Sequence, residues 1–179
     1  MTIARTRHPA AAFACALLVV LTALLPQKAA AQLTGTLSGP RFVETAAIAG
    51  LFEIEAAKLA LTRSRNEAVR RFAQQMVDDH TRIAADLKRA AVAANGDISV
   101  PSALDAEHDA LLQRLKAVPE REFDAQYVAT QKTAHEQAVG LFGAFARQGD
   151  QTALKEFAQQ TLPMLQHHLE QVEKIAINT

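Results

Sequence analysis

The chain has 179 residues, with 19 basic and 19 acidic side chains, six histidines, no tryptophan and one cysteine. No stripe of basic residues and no interleaving of aromatic with basic side chains is present, so nucleic acid is not an expected partner. The single cysteine, Cys15, excludes an internal disulfide framework.

The first thirty or so residues have the build of a secretory signal peptide. Arg5 and Arg7 open it, residues 10–25 are apolar with one threonine, and Ala29, Ala30 and Ala31 follow as small residues. The apolar run is shorter than the ~20 residues a membrane-spanning helix needs, and it ends at Pro26. Cleavage is expected after Ala31, giving a periplasmic or secreted protein without a membrane span. Without Arg5, Arg7 and Lys28, the remaining 16 basic and 19 acidic residues carry a net charge of −3. That surface suits a monomer or a weak dimer. The remaining stretch, about 148 residues, is ordinary for one domain with one core.

Residues 32–40 contain Gly35, Ser38, Gly39 and Pro40 and read as a flexible lead-in. Residues 41–177 read as the folded domain. A first helix is predicted from about Arg41 to Arg63, with Ile48, Phe52, Glu55 and Leu59 at helical spacing. Ser64 followed by Glu67 is the pattern of a capping box and starts a second helix, about Arg65 to Ala94. Its apolar stripe is Val69, Ala73, Met76, Ile83 and Leu87, and His80 falls on it. Asn95-Gly96 ends that helix in the manner of a left-handed cap. After a short extended linker, Ser102 is expected to cap a shorter helix from Ala103 to Val118. A third long helix is predicted from about Glu120 to Gln148, with His135 on the face of Val128, Val139 and Phe142. Asp150 is expected to cap the fourth, about Gln151 to Ile177, in which Pro163 predicts a kink. The stripe of that helix includes Leu154, Ala158, Thr161, Leu165, His168 and Val172. Two hairpins joined by a long connection with its own helix predict an all-α, ferritin-like four-helix bundle with a short crossover helix. A plain up-down bundle is the alternative.

Each long helix brings ionisable groups to its apolar faces. Glu55 lies on the stripe of the first helix and Glu53 on its neighbouring small-residue face; His80, His135 and His168 follow on the other three. Glu53, Glu55 and His80 lie about 10–15 residues, roughly 15–22 Å, from the first hairpin turn. His135 and His168 lie about 14 and 19 residues, roughly 21–28 Å, from the second. Three imidazoles and one or two carboxylates at matched depth predict a site for Zn, Fe, Mn or Cu, with Asp79 orienting His80 from behind. Read singly, each histidine also suits a buried hydrogen-bond network. His108 is expected to pack or hydrogen-bond, and His167 to face solvent. No phosphate loop and no catalytic nucleophile motif is present, so no enzymatic reaction is predicted.

Several segments carry a family resemblance. They are Phe52-Glu-Ile-Glu55 with Lys58-Leu-Ala, Phe72-Ala-Gln-Gln-Met-Val-Asp-Asp-His80, His108, Phe123-Asp-Ala-Gln-Tyr127, His135 and Thr161-Leu-Pro-Met-Leu-Gln-His-His168. Phe42 through Leu169 resembles the domain of unknown function 4142 family. The resemblance implies an exported, ferritin-like helical domain and no established activity. Ferritin-like di-iron enzymes carry Glu-x-x-His on two helices. Here the residues three before His80 and His168 are Val77 and Leu165. The residues therefore favour a His-rich mononuclear site over a di-iron centre. The other functional expectation is a helical interaction or stress-related envelope module with a structural His/Glu core.

Overall fold

The computed structural model describes residues 38–94 and 97–177. The expected signal peptide and its cleavage point, residues 32–37 of the lead-in, and the Asn95-Gly96 cap lie outside them. The described residues form five helices: α1 (Gly39–Arg63), α2 (Glu67–Ala93), α3 (Ala106–Ala117), α4 (Glu120–Gln148) and α5 (Thr152–Glu173). Four long helices and a short one are as the hydrophobic periodicity predicts, and the described residues contain no strand. None of these helices is long and apolar enough to cross a membrane.

The caps differ from expectation in instructive ways. Residues 39 and 40, read as lead-in, already belong to α1, because Pro40 suits the first helical turn. The Gly39 amide donates to Asp150 Oδ1 at 2.9 Å. Asp150, expected to cap α5, therefore caps α1 across the bundle, and α5 starts after Gln151 without a side-chain cap. A β-carbon at Gly39 would lie 2.8 Å from the Gln151 and Leu154 side chains, so a larger residue there would push the ends of those side chains aside. The α2 cap is Asn66 rather than Ser64. The Ala68 and Val69 amides donate to the Asn66 side chain at 2.9 and 3.3 Å. Glu67 then sits in the first turn, where its charge complements the helix dipole. For α3 the cap is Asp105, which accepts from the His108 amide at 2.8 Å. The helix thus starts three residues later than Ser102 predicted. The α3 C-terminus is held by Arg63, which donates to Lys116 O at 3.0 Å and Val118 O at 2.6 Å while lying over the Phe123 ring. The helix α5 runs unbroken through the exposed Pro163.

The topology follows from these links. The start of α1 meets the α4–α5 turn, and Arg63 at its end lies 3.6 Å from Glu120 at the start of α4. So α1 and α4 are antiparallel. Helix α1 packs on α2 and α4, and α5 on α4 and α2. The connection through α3 therefore carries the chain from one end of the bundle to the other.

The core is divided. One apolar block contains Phe42, Leu87, Phe142, Phe145, Leu154 and Phe157, with the Phe42 and Phe145 rings stacked at 4.0 Å. The other contains Val69, Phe72, Met76, Leu115, Phe123 and Tyr127. Along α2, α4 and α5, His80, His135 and His168 fall between the residues of the first block and those of the second, and on α1 Glu53 follows Phe52, the first residue of the second block. A polar layer separates two apolar ones.

Candidate metal centre

Each long helix contributes one ionisable side chain to that layer. Glu53 of α1 is 2% exposed, His80 of α2 is 3%, and His135 of α4 and His168 of α5 are fully buried. The three imidazoles form a nearly equilateral triangle, with ring centroids 5.6, 5.6 and 5.4 Å apart. One ring nitrogen from each lies within 4.8 Å of the others. Glu53 borders the triangle, with Oε2 at 2.7 Å from His80 Nε2 and Oε1 at 3.5 Å from His135 Nδ1.

Outer hydrogen bonds fix the tautomers. His135 Nδ1–H donates to the Gln131 carbonyl at 2.9 Å, one helical turn back. That leaves a lone pair on His135 Nε2, which has no partner. His168 Nε2–H donates to Asp79 Oδ2 at 2.9 Å, and His168 Nδ1 has no partner. Arg82 holds the other oxygen of Asp79. Asp79 was expected to orient His80. It orients His168 instead, because adjacent residues on a helix face different directions and position 79 looks across to α5.

Glu55 is a second correction. It was placed on the inward stripe, yet its side chain is 45% exposed and pairs with Lys58 at 2.8 Å. The buried face of α1 is centred on Ala46, Ala56, Ala57 and Ala60, and it is Glu53 that shares it. That face mixes Phe42 and Phe52 with alanines, and the small residues let α2 and α4 approach around Glu53. His108 bonds to Asp105 at 2.7 Å and packs against Phe52, and His167 is exposed, both as expected.

Two buried polar residues escaped the sequence reading. Tyr127 and Gln131 are fully buried, and neither the phenol oxygen nor the amide atoms have a partner. With Phe123 and His135 they form a column at four-residue spacing on α4. Extending the column back from His135 is the signal that finds them.

The electrostatics are those of a site built for positive charge. Burial pushes the Glu53 carboxyl up. Charge on His80 and His135, the His80 contact and His168 outweigh it and hold the pKa at about 2. Burial drives His168 down to about 4, against the upward pull of its Asp79 hydrogen bond. Burial also raises Asp79, but the bonds from His168, Arg82 and Gln75 keep it below the usual carboxylate range. Burial and the charge of Glu53 both push the Tyr127 phenol up. An anionic carboxylate sealed in this layer needs a cation, since an unpaired buried charge is very costly.

The donor set fits a metal ion. Around an ion with bonds of about 2.1 Å, neighbouring donor atoms lie roughly 3 to 3.5 Å apart, so a modest contraction of the triangle suffices. The free lone pairs of His135 and His168 and the unpartnered Glu53 Oε1 are the atoms such an ion would satisfy. Three buried histidines thus form a possible metal site in an all-helical bundle.

A buried histidine triad in a helical bundle defines the class. The family model for the domain of unknown function DUF4142 matches residues 24–175, and the chain belongs to that family. No curated protein and no solved structure matches it.

Proposed function

We propose that this protein is an exported metal-binding bundle that holds one transition-metal ion through His80, His135, His168 and Glu53. Its role would be buffering, storage or redox protection in the bacterial envelope, as a monomer or weak dimer. The observation that carries this reading is the pair of free lone pairs, on His135 Nε2 and His168 Nδ1, each fixed by a hydrogen bond on the opposite ring nitrogen. That arrangement is the usual one for metal-bound histidine. A single crossover spanning the bundle supports a ferritin-like architecture. The apolar leader supports export. Nitrogen donors with one carboxylate suit Zn, Fe, Mn or Cu.

The 2.7 Å contact between Glu53 and His80 favours a second reading. In it a protonated His80 supplies the cation, the layer is purely structural, and the protein is an interaction module. Elemental analysis of untagged protein purified from the envelope fraction separates the two. Stoichiometric metal that is lost in His80→Ala supports the first. Metal-free protein whose melting temperature responds to none of Zn, Mn, Fe(II) or Cu supports the second.

A further inference from the structure

The site is sealed, with its four side chains between 0 and 3% exposed. An ion must nevertheless reach it. His80 forms part of the wall of a cleft of about 160 Å3 between α1 and α2, roofed by Val100, Pro101 and Ser102 of the crossover. The floor is made of small residues, Ala46, Ala47, Gly50 and Ala84. The nearest atom that a β-carbon at Gly50 would meet is His80 Nδ1, at 3.9 Å. At Gly50 the cleft therefore comes up to the edge of the His80 ring. The volume holds several waters, enough for an ion with part of its hydration shell. Large chelates and protein side chains from a donor would be excluded.

We propose that this cleft is the port through which a small hydrated cation reaches the triad, and that Gly50 is the residue that keeps it open. The inference rests on the metal reading above. The floor is otherwise apolar, so the port passes an ion without trapping it on the way. Lys88 lies on the rim and is exposed, so its charge opposes an arriving cation through solvent.

The test loads the metal-free full chain with Co(II) and follows the ligand-field absorbance in time, with the final stoichiometry measured by elemental analysis. Gly50→Leu should slow loading at least tenfold while leaving the final stoichiometry unchanged. Gly140→Leu is the control, because a β-carbon there meets nothing within 4 Å; its rate should equal that of the parent chain. Lys88→Glu, an exposed change that leaves the core untouched, should speed loading several-fold, with the gain vanishing at high salt. Stoichiometric loading at the parent rate in both Gly50→Leu and Lys88→Glu overturns the port and leaves the metal site standing. Failure of the parent chain to bind Co(II) overturns the metal site and the port with it.

Discussion

His168 Nε2–H donates to Asp79 Oδ2 at 2.9 Å, a bond between α5 and α2 that links residues 89 apart in sequence. It decides which nitrogen of His168 faces the other imidazoles. Arg82 braces the same carboxylate from the surface, so the orientation of a buried ring is set partly by an exposed side chain.

Asp79→Asn keeps the size of the side chain and removes its charge. The amide can present either its oxygen or its NH2 to His168, so the tautomer is no longer fixed. Metal affinity should fall about 10- to 100-fold, with the metal-free fold retained. Competition titration against a chelator of known affinity reads the change; an unaltered affinity would remove Asp79 from the site.

Glu53 and Glu55 are two residues apart and should behave oppositely. Glu53→Ala strips the layer of its buried anion, leaves a cavity and should destabilise the metal-free protein by about 3 kcal/mol. Glu55→Ala removes only an exposed pairing with Lys58 and should stay within about 0.5 kcal/mol. Chemical denaturation of the two variants side by side gives the comparison.

The pH dependence of the metal-free protein has a definite sign. His168 has a folded-state pKa of about 4 against an ordinary value of 6.5. Between those values the unfolded chain binds more protons, so folding weakens as pH falls. The loss begins near pH 6.5, is complete below about 4, and amounts to about 3 kcal/mol. Glu53 adds a further loss at lower pH, as its carboxyl protonates between its ordinary 4.5 and about 2. Denaturation midpoints measured across this range should show the first slope, and His168→Gln should flatten it.

Metal adds stability on the neutral side of that range. At a free ion concentration 100 times the dissociation constant, the folded state gains about 2.7 kcal/mol. Imidazoles must be neutral to bind, so the gain should shrink as pH drops from about 6 to 5. In His135→Gln it should vanish at every pH. Calorimetric melts with and without Zn check both statements.

Tyr127→Phe should raise stability, by about 1 kcal/mol, because the buried phenol oxygen has no hydrogen-bond partner and its removal ends a desolvation cost. A lower melting temperature in this variant would show that the hydroxyl is satisfied in solution.

The helices were legible because their apolar stripes are long and their breaks sharp. Pro119 and Gly149 flank α4 as periodicity and turn chemistry predict. The histidines were legible because each interrupts a stripe and counting from the turns places them level. Glu53 was harder to rank against Glu55, since α1 is apolar around most of its circumference and its periodicity does not single out one face. The caps were least legible. Ser64 and Asp150 both have capping chemistry, but which amide each serves depends on where the neighbouring chain passes. Asp150 serves a helix 111 residues earlier.

That last contact bears on how the protein is made. Synthesis delivers α1 and α2 long before Asp150, so the first amide of α1 waits for its partner until the second hairpin is in place. Until α5 is made, Glu53, His80 and His135 exist without His168, an incomplete polar patch on an unfinished apolar surface. Long-range closure of this kind is slow and leaves partly assembled chains prone to aggregation. A chain interrupted before residue 150 therefore lacks both the clasp on its first helix and the His168 imidazole.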